Sequence, residues 1–222
     1  MIEARMTELN YNEILMYLGH RGQDVTPRVE EQIHRCVSLV RQCAAPRLVY
    51  SRMPVEQGGI AGFPMEGEDI RRLLAPCREA VLLAVTLGAQ VEQELMRCEV
   101  TDMADAVIMD SCASVAAENV CDCFEEDMRE EVRAEHRYLT SRFSPGYGDL
   151  PINTQQKMCG VLNTARRIGL TVTENYIMVP RKSVTAVMGI SDEPQELRSR
   201  GCEACSMFLT CAYRKKGMVC HE

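Results

Sequence analysis

The longest periodic segment of the sequence is DMADAVIMDSCASVAAENVCDCFEEDMREEVRAEH, at residues 102–136. Small and apolar residues recur in it at three- and four-residue steps, forming the stripe Met109, Cys112, Ala113, Ala116, Val120, Cys123 and Phe124. This spacing predicts a long helix with one buried face. The Ala, Ser and Cys residues of its first half predict a close approach by a partner element. The charged second half is typical of a solvated face with some Glu–Arg pairs.

Shorter patterned segments surround this helix. Helical spacing predicts further helices over residues 7–19, 27–45, 66–74, 88–98 and 155–162. Apolar runs and β-propensity predict strands over residues 47–55, 80–87 and 183–190. Helices and strands do not alternate regularly, which favours an α+β fold over a doubly wound parallel sheet.

The composition is that of an ordinary globular protein, because 46% of the 222 residues are hydrophobic and 26% are charged. The net charge of −7 argues against a nucleic-acid partner, since phosphate binding requires a concentrated basic face. The longest uninterrupted apolar run, residues 80–85, is far too short to span a membrane. Residues 1–8 lack the apolar segment of a secretory signal. We therefore expect a cytoplasmic protein with no membrane partner.

A second stretch, Arg142-Phe143-Ser144-Pro145-Gly146-Tyr147, contains the chemistry of a binding site. The Arg142 guanidinium is suited to holding a carboxylate through two parallel hydrogen bonds. Pro145-Gly146 predicts a tight turn that exposes neighbouring backbone amides and carbonyls. Tyr147 adds an aromatic face with a polar tip. These groups together suit an amino-acid ligand, and they also fit an ordinary surface turn beside an arginine.

This stretch resembles the Arg-x-x-Pro-Gly-Tyr motif of the activation domain of cobalamin-dependent methionine synthase. In that family the Arg, the backbone of the residue two positions later and the Tyr bind S-adenosylmethionine. The resemblance implies the same roles for Arg142, the Ser144 backbone and Tyr147, with Ser144 standing where the family usually has Ala. Ala117-Glu118 is similar to the family's Ala-Glu pair, which implies that Glu118 binds the ligand's ammonium group. The family's N-terminal Asp ligand has no assigned counterpart here.

The resemblance extends over roughly residues 8–190 and includes segments 17–22, 85–88 and 182–184, which are similar to small stand-alone members of the family. It implies a twisted, mostly antiparallel sheet flanked by helices. The sequence lacks an Asp-x-His-x-x-Gly segment for base-on cobalamin binding. It also lacks the Gly-x-Gly-x-x-Gly of a Rossmann-type methyltransferase. Any cobalamin must therefore be carried by another protein.

The expected function is to bind S-adenosylmethionine and support reductive methylation of a corrinoid. The corrinoid partner would be a separate methionine synthase subunit or corrinoid methyltransferase, with an electron donor such as flavodoxin or ferredoxin. On this interpretation the chain is an accessory component of a cobalamin-dependent methyltransferase. The alternative is a non-catalytic adaptor that docks a corrinoid protein and has a zinc-stabilised tail.

Residues 193–222 are charged and cysteine-rich, and we expect them to form a tail separate from a domain at 1–192. Four of the twelve cysteines form the pattern Cys202-x2-Cys205-x5-Cys211-x8-Cys220. This spacing is typical of a zinc or iron–sulfur site that folds the segment; unligated or disulfide-bonded cysteines are the alternative. We expect an iron–sulfur cluster, because cobalamin reactivation requires an electron. In the zinc alternative, His221 is able to replace Cys220 as a ligand. The eight other cysteines are expected to be small core residues.

Overall fold

The computed structural model describes residues 2–20, 22–56, 59–63 and 65–195. Within them the helices are α1 (Tyr11–Tyr17), α2 (Pro27–Cys43), α3 (Glu68–Leu74), α4 (Ala89–Thr101), α5 (Met103–Ala134), α6 (Thr154–Leu162) and α7 (Thr164–Arg167). The strands are β1 (Arg47–Glu56), β2 (Gly59–Ile60), β3 (Cys77–Thr86), β4 (Tyr138–Leu139), β5 (Thr171–Val172), β6 (Met178–Val179) and β7 (Ser183–Ser191).

A five-stranded sheet organises these elements, with the strand order β2-β1-β3-β7-β4. Every pair of neighbouring strands is antiparallel. β3 is the central strand, because β1 and β7 each pair with it along most of its length. β5 and β6 form a separate two-stranded hairpin.

Burial on both faces explains the central position of β3. Alternate side chains of residues 80–85 point to opposite faces of the sheet. Those at odd-numbered positions join a core formed with α1, α2, α4 and α5. Those at even-numbered positions join a second core formed with α3 and α6. The predicted α+β fold, with an antiparallel sheet flanked by helices, is therefore confirmed.

The long central helix forms as predicted. α5 has 32 residues and begins after Asp102, whose side chain accepts hydrogen bonds from the Ala104 and Asp105 amides. Every residue of the predicted stripe is buried, and α2 and α4 pack against it. In the charged half, Arg129 and Glu125 form one of the expected Glu–Arg pairs at 2.8 Å. Among the helices of the described residues, none combines the length and the apolar character needed to cross a bilayer.

Some features differ from the sequence prediction or escape it. α1 begins at Tyr11 rather than Thr7, because the Asn10 side chain caps the helix by accepting from the Asn12 and Glu13 amides. The segment after β1, whose glycines at 58, 59 and 62 are typical of a loop, contains the short strand β2, which pairs with β1. The β5–β6 hairpin and α7 have no signal in the sequence, since elements of two to four residues are too short to show a period.

The eight cysteines of the described residues are free thiols, and all but Cys98 are buried. Burial raises the pKa of Cys36 and Cys77 to about 11 and the pKa of Cys112 to about 12. These thiols therefore stay protonated at neutral pH and pack as small apolar groups, as the sequence predicts.

An ion-pair network joins the end of α5 to the sheet. The Arg52 guanidinium on β1 donates two hydrogen bonds to the Glu135 carboxylate, at 2.6 and 2.8 Å. It donates a third to Glu79 on β3 at 3.0 Å, and Arg137 donates to the other Glu79 oxygen at 2.6 Å. The hydrogen bonds from Arg52 lower the pKa of Glu135 to about 2. The network fixes the C-terminal end of α5 against β1 and β3.

We predict that Glu135→Gln removes part of the acid sensitivity of the fold. In the wild type, the ionised carboxylate stabilises the fold above its ordinary pKa of 4.5, and this contribution is lost as the pH falls towards 2. The variant lacks this pH-dependent contribution, so its thermal unfolding temperature should fall less steeply across that range. Glu130→Gln, which removes an exposed carboxylate from the same helix, is the control. Identical pH dependence in the wild type and Glu135→Gln would contradict the assignment.

Candidate functional site

The segment that leads from β4 into the turn is fixed to the sheet at Phe143. Phe143 forms two backbone hydrogen bonds with Val187 of β7, at 2.9 and 2.8 Å. Its side chain is only 2% exposed and belongs to the second core. Neighbouring residues of an extended segment point to opposite faces. Arg142 therefore projects to the other side of the sheet, where it meets α5.

The predicted tight turn is present at residues 144–147. The Ser144 carbonyl accepts a hydrogen bond from the Tyr147 amide at 3.2 Å, and Gly146 has φ +90°. Pro and then Gly at the two central positions, with positive φ at the Gly, define a type II turn. A Cβ at Gly146 would also lie 3.0 Å from the Ile152 side chain. The turn leaves the Tyr147 side chain 69% exposed.

Asp149 ties the far end of this turn to α3. Its carboxylate accepts hydrogen bonds from the Glu68 and Asp69 amides in the first turn of the helix, and these bonds lower the pKa of Asp149. Gly148, with φ +53°, lies where a Cβ would collide with the Asp69 carboxylate. The turn is therefore held at both ends, by Phe143 on β7 and by Asp149 on α3.

Arg142 lies against a row of three carboxylates on α5. Its Nη2 atom donates hydrogen bonds to Asp122 at 2.7 Å and to Glu118 at 3.1 Å. Its Nε atom lies 3.6 Å from Glu125 Oε2. The three acidic residues share one face of the helix because they are spaced by four and three positions. The structure thus brings together Arg142 and Glu118, which the sequence assigns to one ligand.

The Arg142 guanidinium is both buried and charged, since only 10% of its side chain is exposed. Burial alone would lower the pKa of Arg142, but the neighbouring Cys121, Asp122, Glu118 and Glu125 more than offset burial, and the pKa is raised. Its Nη1 atom is buried with no hydrogen-bond partner among the described residues. A buried donor without a hydrogen bond is uncommon and lowers stability unless it donates to an acceptor on a bound ligand. A ligand carboxylate fits this position.

Tyr17, at the end of α1, also belongs to this site. Burial raises the pKa of Tyr17 to about 12, together with the nearby Glu118, Tyr147 and Glu13, while Arg142 opposes the shift. Tyr17 therefore lies within electrostatic reach of the carboxylate row and of the turn. Tyr17 is only partly buried, with 48% of its surface exposed, and Tyr147 is 69% exposed, so two aromatic side chains accessible to solvent accompany the charged cluster.

The sequence reasoning misses Tyr17, Asp122 and Glu125. The two acidic residues follow Glu118 at the i+4 and i+7 positions of α5, and this spacing identifies them once Glu118 is chosen. Tyr17 has no comparable local signal, because its place in the site depends on how α1 packs against α5.

The predicted metal ligands Cys202, Cys205, Cys211 and Cys220 lie outside the described residues. Within the ranges that the structure describes, no three His, Cys, Asp or Glu side chains come together as metal ligands. The metal prediction for the tail therefore stays a prediction.

An open cleft between α6, α7 and β5 is a weaker candidate for the functional site. It is lined by Gln156, Cys159, Gly160, Asn163, Thr164, Ala165, Leu170, Thr171 and Val172. None of these side chains is charged, and burial raises the pKa of Cys159, so its thiol is protonated at neutral pH. The cleft therefore lacks the charged groups that the Arg142 cluster provides.

Comparison with known proteins identifies the family. The sequence matches the family described as "Vitamin B12 dependent methionine synthase, activation domain" over residues 79–199, more than half of the chain. The chain also resembles the crystal structure of the MetH reactivation domain bound to AdoHcy, with a TM-score of 0.57 and 14% sequence identity. That match covers 96% of this chain and 82% of the other, and it shows a shared fold. A search of the curated proteins gives no significant match.

We predict opposite effects for two Gly→Ala changes. Gly146→Ala destabilises the fold by about 1–2 kcal/mol, because Ala strains the positive φ and its Cβ crowds Ile152. Gly160→Ala stabilises it by about 0.5–1 kcal/mol, since Gly160 lies inside α6 with no atom near its Cβ position. Chemical denaturation of both variants measures the two signs. Stabilisation by Gly146→Ala would contradict the turn geometry, and destabilisation by Gly160→Ala would contradict the open position of Gly160 in α6.

Proposed function

Since this chain belongs to the vitamin B12-dependent methionine synthase activation domain family, we propose that it binds S-adenosylmethionine around Arg142. The observation that carries this proposal is the buried Arg142 guanidinium, which contacts three carboxylates through Nη2 and Nε. Its Nη1 atom has no hydrogen-bond partner among the described residues. This arrangement suits a ligand that has both a carboxylate and positive charge. S-adenosylmethionine has a carboxylate, an ammonium and a sulfonium. The similar solved structure is described as bound to AdoHcy.

Each site residue has a separate role in this proposal. Arg142 Nη1 donates to the ligand carboxylate, and Glu118 accepts from the ammonium. The Ser144 backbone and the Tyr147 ring contact the remainder of the ligand. Tyr147 and Tyr17 are both exposed, so they are accessible to a ligand bound at the protein surface. These residues bind and orient the ligand, and none of them needs to act as a nucleophile or general base.

The bound ligand would serve the reductive methylation of a corrinoid on a separate methionine synthase subunit or corrinoid methyltransferase. S-adenosylmethionine supplies the methyl group, and a flavodoxin or ferredoxin supplies the electron that the partner's cobalt requires. This chain holds the ligand at its surface, where a corrinoid partner has access. The chain is thus an accessory component of cobalamin-dependent methyl transfer.

For the tail, the proposed cofactor is an iron–sulfur cluster bound by Cys202, Cys205, Cys211 and Cys220, with zinc as the alternative. The support is the spacing of four cysteines within one short segment. The described cysteines are mostly buried, and burial favours the protonated thiol over the thiolate that binds a metal. They are therefore poorer candidates than the tail cysteines. A cluster would deliver electrons, whereas zinc would only stabilise the tail, as in the adaptor alternative.

We predict that Arg142→Lys weakens S-adenosylmethionine binding by about 10- to 100-fold. Lys keeps a positive charge among the α5 carboxylates, so the fold is retained, but it lacks the planar fork that offers a second nitrogen to the ligand. Tyr147→Ala, at an exposed position, should weaken binding by up to about tenfold without lowering the thermal unfolding temperature. Isothermal titration calorimetry measures both affinities.

The matched control for the second variant is Tyr138→Ala, which removes another exposed tyrosine from the same segment. We expect it to leave the affinity unchanged. No binding by the wild type, or equal affinities in the wild type and Arg142→Lys, would refute S-adenosylmethionine binding at this site.

We predict that anaerobically purified protein is coloured and contains iron. The double variant Cys202→Ser/Cys205→Ser should be colourless, because it removes two of the four thiolate ligands. Visible absorption spectra and metal analysis measure this difference. A colourless wild type with stoichiometric zinc would exclude electron delivery by the tail and favour the adaptor alternative.

A further inference from the structure

Arg142 divides its donors between the protein and the ligand site. The two hydrogens of Nη2 are used by Asp122 at 2.7 Å and by Glu118 at 3.1 Å. Nη1 also has two hydrogens, and this atom is buried with no partner in the part of the chain that the structure describes. The protein therefore fixes one nitrogen of the guanidinium fork and leaves the other for an acceptor from outside.

The three carboxylates differ in how firmly they hold this guanidinium. Glu125 lies 3.6 Å from Arg142 Nε and accepts a hydrogen bond from Arg129 at 2.8 Å, so it is shared with a second arginine. Glu118 accepts the longer of the two bonds from Nη2 and, in the proposed function, binds the ligand's ammonium. Asp122 accepts the shorter bond. It is therefore the group that keeps the guanidinium in place once the ligand is bound.

We propose that Asp122 is a positioning residue for the ligand carboxylate. By holding Nη2, Asp122 keeps Nη1 turned towards the ligand and sets the preference of the protein for ligands with an α-carboxylate. This inference rests on the proposed function, because it requires S-adenosylmethionine at Arg142. A second contact keeps α5 and its Asp122 close to Arg142. The Arg129 side chain donates a hydrogen bond to the Leu139 carbonyl at 2.8 Å and so ties α5 to the segment before the turn.

Titration with two ligands tests the inference. S-adenosylmethionine and its decarboxylated analogue share the nucleoside, the sulfonium and the amine, so their affinity ratio reports on the carboxylate alone. The wild type should bind S-adenosylmethionine more tightly. Asp122→Ala should reduce this preference about tenfold, while the affinity for the analogue stays within about twofold of the wild type. A purely structural role would weaken both ligands equally.

Two further variants make the test specific. Asp122→Asn keeps an oxygen that accepts from Nη2, so its carboxylate preference should stay within about threefold of the wild type. Glu130→Gln removes one negative charge from an exposed position of α5 and should change nothing. If Asp122→Ala does not fold, Asp122→Glu replaces it. The longer side chain displaces the guanidinium and should reduce the preference by at least about threefold.

The outcomes separate this inference from the proposed function. Equal weakening of both ligands by Asp122→Ala, or an unchanged preference, overturns the positioning role and leaves S-adenosylmethionine binding intact. If the wild type binds neither ligand, the proposed function and the positioning role both fail. Thermal unfolding of each variant, with and without ligand, confirms that the comparison concerns folded protein.

Discussion

The alternation of side chains at residues 142 and 143 is the constraint on which the site depends. Phe143 enters the second core, and its backbone pairs with Val187 on β7. The preceding residue must then face the opposite side of the sheet, where α5 packs. Arg142 therefore meets the acidic face of this helix, and the turn that follows is held in register with it. One buried phenylalanine thus aligns the guanidinium, the turn and the exposed Tyr147.

In the proposed function, the cluster around Arg142 serves ligand binding more than stability. Moving a guanidinium out of water costs several kcal/mol, and its attraction to Glu118, Asp122 and Glu125 mainly offsets that cost. By contrast, the Arg52–Glu135 pair at the other end of α5 lies at the protein surface and is more weakly desolvated. The helix therefore has one ionic contact that ties it to the sheet and another that holds Arg142, the proposed ligand-binding group.

The sequence predicts the parts of this molecule whose pattern is local. The stripe from Met109 to Phe124 predicts α5, the apolar run at 80–85 predicts a strand, and a Pro followed by a Gly predicts a tight turn. The roles assigned to Arg142 and Glu118 come from the family resemblance, since an arginine before a turn is not informative alone. Asp122 is identified only as the i+4 neighbour of Glu118 on α5. Tyr17 could not be assigned, because its relation to Arg142 depends on tertiary packing.

Arg142 Nη1 is buried without a hydrogen-bond partner among the described residues, so the proposed binding role of Arg142 is obtained at a cost in stability. Replacing a buried ionic cluster with well-packed apolar residues is often neutral, or stabilising by about 1–4 kcal/mol. A chain optimised only for resistance to heat would therefore lose Arg142 and its carboxylates early. Consensus or thermostability engineering of this fold should leave this cluster unchanged and stabilise the protein elsewhere.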